Sequence, residues 1–337
     1  MNAIVTDTSA LRGTRRRQKR VAVEVSTLAL ILGTYAGWLL ITATYGRWSL
    51  WIVAPAVVLL LTLHSSLQHE IIHGHPTRWR SLNRLLGMVP LSFWLPFERY
   101  RRQHLTHHLD ERLTDPLDDP ESYYWTPEDW ARMRPISRVL LQIQQTLAGR
   151  LVLGSFWRIV IFLRGELRAL IRNQEGARAA WIEHLLWCVP VILWLTLVCR
   201  LPLWVYAAAM ILPANGIALF RSFAEHRAHP DAPQRTAIVE RAWFLGPLFL
   251  FNNLHALHHE SPTIPWYEYN ARYRIDRERL VAQNGGLVYA TYFDVARRFL
   301  FRPHDVLEHP TSRVPRIARS IAADPRAGAA APLADAL

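Results

Sequence analysis

Apolar residues in this 337-residue chain are gathered into long blocks separated by polar, arginine-rich stretches. Residues 21–46 form the first block, with Glu24 its only charge, and residues 48–67 form the second. Residues 181–199 and 203–220 form the third and fourth. Each block is long enough to cross about 30 Å of hydrocarbon as a helix. Tyr45–Trp48 and Arg200–Pro202 read as tight turns, so the blocks pair into two hairpins. The predicted fold is all-α: an integral membrane bundle of four transmembrane helices with a helical cap built from residues 68–180 and 221–302. Pro190 and Pro213 are expected to kink the second hairpin.

The shorter apolar runs carry different expectations. Residues 85–97 are too short to span and should lie in the interface or tuck under the bundle. Residues 243–251 form a similar short run. Leu147 to Leu163 is apolar on average, but Arg150, Arg158 and Arg164 make an interfacial amphipathic helix the better reading, because charge at the bilayer centre is costly. Residues 109–130 are acidic and punctuated by proline, which is loop chemistry, and Asp115–Glu121 reads as an exposed, solvated loop. Residues 1–20 read as a flexible basic tail rather than a signal peptide, since the apolar run that follows is too long and lacks a clean small-residue cleavage site. Residues 303–337, rich in Arg, Pro and Ala, read as a peripheral tail whose last dozen residues are disordered.

Composition changes this picture only in orientation. The formal charge is +12. Alone, that charge would suit nucleic acid, an anionic membrane face or an acidic protein; the apolar blocks favour the membrane. The two short turns carry one arginine each, Arg47 and Arg200, and the remaining basic residues fall on the other side. The positive-inside rule then places both termini and the long segments in the cytoplasm. The two cysteines, Cys188 and Cys199, share one apolar block and suggest neither a disulfide scaffold nor a thiolate site.

The chemistry lies in histidine. His69 and His73 sit at i,i+4 where the second block ends. His104, His107 and His108 form His-x-x-His-His, and His255, His258 and His259 repeat that pattern. His226 follows the fourth block by a few residues. Residues at i,i+3 and i,i+4 share a helix face, and neutral imidazoles gathered there are good transition-metal ligands. Nine such nitrogens exceed one metal's needs and suit two six-coordinate ions. His69-Glu70-Ile71-Ile72-His73 also matches the zinc-protease pattern, but that pattern asks for one further ligand where this chain offers two more clusters. The ligand set leaves iron, zinc, copper and nickel open, although a nitrogen-rich octahedral site open to oxygen fits iron better than structural zinc. Candidates to orient the rings are Glu70, Asp110, Glu225, Asn252 and Asn253. His64, His75 and His229 are read as supporting or spare.

These boxes resemble those of the membrane fatty acid desaturase and hydroxylase superfamily: His69-x3-His73, His104-x2-His107-His108 and Asn253-x-His255-x2-His258-His259, with His226 in Arg-x3-Glu-His-Arg. The resemblance covers roughly residues 25–265. It implies a cytosolic non-heme centre of two iron ions, O2 as oxidant, and a long-chain acyl or hydrocarbon substrate. Desaturation of an acyl chain is favoured. Hydroxylation of an acyl, alkane, sphingolipid or carotenoid substrate is the alternative. The sequence carries no His-Pro-Gly-Gly heme signature, so a separate donor such as a ferredoxin is expected to deliver electrons; an acyl carrier protein is a further candidate partner. The arrangement resembles bacterial enzymes, which implies the inner membrane. A metal carrier or lipid-binding protein is the rival from another class. A carrier should place ionisable groups at mid-membrane, whereas these histidines gather at one edge.

Overall fold

The computed structural model describes residues 22–109 and 112–310. The basic tail, Asp110 and the last part of the C-terminal tail lie outside these residues. Among those described, four helices are long and apolar enough to cross a membrane: Val25–Thr42, Leu50–Ile72, Ala177–Val198 and Leu203–Phe223. They form the two expected hairpins, and the protein is a helical membrane protein. Boundaries shift by a few residues. The second span runs through Ile72 rather than stopping at 67, so His69 sits in its last turn. The third begins at Ala177 rather than at 181. A π-turn over Ala207–Ile211 precedes Pro213 and widens the helix where the proline ring would meet the carbonyl four residues back.

Trp38, Val57, Leu61, Leu195, Tyr206 and Met210 form the buried seam between the hairpins. Two indoles find partners there: Trp38 Nε1 donates to the Tyr206 hydroxyl at 2.9 Å, and Trp194 Nε1 donates to Thr42 Oγ1 at 2.9 Å. Outward faces remain apolar and exposed, as at Val25, Leu40, Trp51, Leu186 and Leu197. Hydrocarbon is the solvent that such faces require.

The short apolar segment 85–97 tucks into the bundle. Helix Arg80–Gly87 ends and an irregular stretch follows, with Met88, Leu91 and Phe97 buried. Non-helical backbone at that depth needs its carbonyls satisfied. One side chain from each span does so. Tyr35 donates to Leu86 O, Gln68 to Gly87 O, His184 to Phe93 O and Tyr206 to Leu91 O. This explains why otherwise apolar spans carry those four polar groups.

Helices Pro135–Gln144 and Leu147–Arg172 meet at a 92° bend. Val152, Phe156, Val160, Leu163, Leu167 and Ile171 recur every three or four residues on the second and are exposed. An apolar stripe opposite arginines is the form of an in-plane interfacial helix, as the sequence suggests. Glu166 of that helix makes a buried bidentate pair with Arg99, at 2.8–3.0 Å. It thereby docks helix Phe97–His107, which carries the second histidine box.

Among the described residues the cap holds a short parallel ladder of β1 (Ile238–Val239) and β2 (Val288–Tyr289). It positions the third box: Val239 N donates to Asn253 O at 2.9 Å, and Ala256 N donates to Ala237 O at 3.2 Å. Just before that box Leu250 and Phe251 both adopt left-handed backbone, φ 51° and 57°. That conformation is unfavourable for large side chains, and here it ends the Leu245–Leu248 turn and redirects the chain toward His255.

The described start of the segment read as a C-terminal tail, residues 303–310, packs on the cap. Leu307 and His309 are buried against the loop at 112–125, and His304 is buried against Gln145, Tyr289 and Phe299. The tail reading rested on composition, which does not see three buried side chains spaced along a strap.

Candidate metal centre

All nine histidines singled out from the sequence converge at one end of the bundle, in two groups. His69, His73, His104, His108 and His258 form one, and His107, His226, His255 and His259 form the other. Within each group one ligand atom per residue lies within 4.8 Å of the rest.

Helix geometry explains the division. A residue at i+4 points nearly where residue i points, whereas i+3 points to the other side of that line. His69 and His73 come from the end of the second span as an i,i+4 pair. In the second box, His104 and His108 serve the five-histidine group and His107 turns to the other. In the third box, His255 and His259 serve the four-histidine group and His258 crosses back. Each His-x-x-His-His box therefore feeds both groups. The rings of His108 and His259 stack where the groups meet, with centroids 4.3 Å apart.

The spacing has chemical meaning. His73 and His108 each place Nε2 3.0 Å from His104 Nε2, and His258 Nε2 lies 3.0 Å from His108 Nε2. In the other group, His107 and His255 place Nε2 3.0 and 2.9 Å from His226 Nε2, and His259 Nε2 is 3.1 Å from His255 Nε2. Two ligands at right angles, each about 2.1 Å from a metal, lie about 3.0 Å apart, against about 3.4 Å in a tetrahedron. The observed edges match the octahedral arrangement.

The other ring nitrogen is held in five of the nine, His104, His107, His226, His255 and His258. His107 Nδ1 faces both Asp119 oxygens at 3.0 Å, and His104 Nδ1 faces Glu121 at 3.1 Å. His258 Nδ1 meets the Tyr269 hydroxyl at 2.9 Å, and His226 Nδ1 meets Arg235 O at 3.3 Å. His255 Nδ1 lies 3.5 Å from Glu225 and 3.4 Å from Asn252 Oδ1. A proton kept on Nδ1 leaves the Nε2 lone pair free. Converging lone pairs repel one another unless a cation lies between them. His69 Nε2 is likewise buried without a hydrogen-bond partner.

Protonation agrees. Burial pushes His73, His104, His108, His226, His255, His258 and His259 below the ordinary imidazole range, so they are neutral donors. His107 is the exception. Burial alone would lower it, but the carboxylates of Asp119 and Glu121 outweigh burial and hold it up at about 9. Glu121 stays ionised well below the usual range: burial opposes this, and His107 and His104 overcome it.

Two of the expected orienting residues take that place. Glu225 lies beside His255, accepts from Asn252 Nδ2 at 2.8 Å and pairs with Arg221 at 3.0 Å; Asn252 faces the same ring. Two do not. Glu70 accepts from Trp266 N and lies 3.9 Å from His75, and Asn253 donates to Val239 O in the β1 region. Asp110 lies outside the described residues. His64, His75 and His229 stay out of both groups.

Sequence reasoning missed Asp119, Glu121 and Tyr269. The segment Asp115–Glu121, read as an exposed loop, instead buries Asp119 and turns two carboxylates onto the second box. Its density of carboxylates shortly after that box was the available signal. Tyr269 left none, since a tyrosine after a loop is ordinary.

A helical membrane protein with four candidate spans and two adjoining all-histidine clusters among the described residues, each able to hold a metal, is the class that fold and site define. Comparison with protein families places it within that class: the model described as fatty acid desaturase matches residues 46–293, and the chain belongs to the fatty acid desaturase family. The match includes all nine histidines. It supports an oxidoreductase of the desaturase and hydroxylase type. A search of curated proteins finds no match.

Proposed function

We propose that the protein is an O2-dependent desaturase that introduces a double bond into a long acyl chain of membrane lipid, with two iron ions held by the nine histidines. The observation that carries this reading is the paired clusters, five and four histidines with right-angle Nε2 spacing, at the inner ends of membrane spans. Bound iron would supply the activation of O2 that removes hydrogen from an unreactive methylene. In balance, –CH2–CH2– plus O2, two electrons and two protons gives –CH=CH– plus two waters.

The protein's own contribution is placement. Asp119, Glu121, Tyr269 and Glu225 fix the ring orientations. The second and fourth spans, with the tucked segment, line a cleft that includes Leu61, Ser65, Gln68, Phe93, Trp94 and Ala218. We read this cleft as the side by which a chain would enter from hydrocarbon without crossing water. The basic residues suit a cytoplasmic face of a bacterial inner membrane, where the positive-inside rule puts both termini. Exposed Arg272, Arg274 and Arg277 on helix Tyr269–Gln283 suit an acidic electron donor of the ferredoxin kind, or an acidic acyl carrier protein.

The test is lipid mass spectrometry on a host expressing the protein beside its His107→Ala variant, with total lipid extract and a reductase system supplied. A product lighter by two hydrogens supports desaturation. A product heavier by one oxygen overturns it in favour of hydroxylation, and O2-independent metal uptake by proteoliposomes overturns both.

A further inference from the structure

We propose that residues 304–309 are an outer brace of the four-histidine metal site and set how firmly it keeps its ion. This rests on the di-metal reading above and goes beyond it, because the brace lies past the residues that the desaturase family model matches.

The strap binds the acidic loop along its length. Trp125 N donates to Leu307 O at 2.8 Å, and His309 N donates to Trp125 O at 2.9 Å. Leu307 is buried in a small cluster with Trp125 and Leu141. At its end His309, 1% exposed, reaches Thr114 Oγ1 with Nε2 at 3.1 Å. Thr114 in turn donates its backbone N–H to Asp119 Oδ2 at 2.8 Å, and Ser122 Oγ donates to Thr114 O at 2.9 Å. Asp119 holds His107. The chain of contacts from His309 through Thr114 and Asp119 to His107 has no break.

A second line of contacts reaches another ligand of the same group. Asp305 Oδ2 accepts from the Tyr124 hydroxyl at 2.7 Å, and the Tyr124 hydroxyl oxygen accepts from Ala228 N at 2.8 Å. The neighbouring Tyr123 hydroxyl donates to His226 O at 3.0 Å. His226 sits in a short non-helical stretch past the fourth span, tied by an isolated bridge to Thr236. Asp305 therefore steadies the segment that presents His226.

Both lines reach ligands of the four-histidine group directly; the other group is touched only one step further on, where Asp119 Oδ1 accepts from Glu121 N at 2.9 Å and Glu121 faces His104. His69 and His73 of that group come from the end of a span. Groups behind a metal ligand govern how well the ligand holds, typically by about 10–100-fold in affinity. The strap extends that control one layer outward, through residues that the histidine boxes do not announce.

The experiment uses full-length protein, loaded with iron-57 and reconstituted in lipid nanodiscs. Iron release to an excess of chelator is followed over time, with Mössbauer spectra of the iron that remains. His309→Ala and Asp305→Ala should each release one equivalent about 10–100-fold faster than the unaltered protein, with the second equivalent clearly less affected. His309→Gln, which keeps a polar atom near Nε2, should restore slow release. Release at the unaltered rate in both alanine variants overturns the proposal. So does equal acceleration of both equivalents with a lowered unfolding temperature, which marks general loosening. Unaltered protein that holds fewer than two ions fails the di-metal reading first, and the proposal falls with it.

Discussion

The two histidine groups draw on the same boxes but are built differently. The five-histidine group takes four members as i,i+4 pairs from helices Leu50–Ile72 and Phe97–His107, or their C-terminal caps, so helix backbone sets most of its geometry. The four-histidine group takes only one pair that way, His255 and His259; His107 and His226 arrive singly from distant places in the chain. It compensates with supports: Asp119 on His107, Arg235 O on His226, Glu225 and Asn252 on His255. A site made by secondary structure needs few helpers, whereas a site assembled from isolated residues is only as rigid as what lies behind them.

Replacing ligands should break this comparison most completely. His258→Ala should empty the five-histidine site and His226→Ala the other, each leaving about one metal per chain and no turnover. Metal analysis and Mössbauer spectra distinguish them; loss of both ions from both variants would mean that the groups form one cooperative unit. Next in size is Glu166→Ala. Leaving Arg99 buried without this partner should cost about 3–5 kcal/mol. Because helix Phe97–His107 serves both groups, both sites should weaken together, read as metal content against unfolding midpoint.

Acid should separate the groups again. Burial, with Arg150 and Arg227 nearby, holds His304 down at about 4, against about 6.5 in an unfolded chain. Between those values the unfolded state binds the extra proton. Stability from this group is therefore intact above pH 6.5 and falls as pH drops toward 4, by up to about 3 kcal/mol. Hydrogen exchange at 303–309 should accelerate over that window, and His304→Gln should flatten the dependence. The smallest and sharpest comparison pairs Asp119→Asn with Glu121→Gln. Each should weaken metal binding by about 10–100-fold, the first at the four-histidine site and the second at the five-histidine site. Equal effects at both sites would show that the loop acts as one body.

Much of this was legible in the chain because its signals are local. Hydropathy blocks locate spans, since hydrocarbon demands long apolar helices whatever the rest of the protein does. Histidines three and four apart are neighbours on any helix, so eight of the nine candidate ligands could be named from spacing, and His226 from its place just past the fourth block and the resemblance of Arg-x3-Glu-His-Arg.

What the sequence left undecided is partnership across distance. The nine ligands were countable, but their division into five and four depends on how three helix ends face one another. Asp119 and Glu121 read as solvent-facing because nothing local says that their loop folds back over the second box. Tyr35, Gln68, His184 and Tyr206 are incidental polar residues until the tucked segment brings four carbonyls to them. The strap at 304–309 reads as tail until Leu307 and His309 find the 112–125 loop. Periodicity and composition are properties of a segment, and the chain alone determines them. Which buried donor meets which acceptor is set by packing, since an unpaired polar group there is costly wherever its partner lies in the sequence.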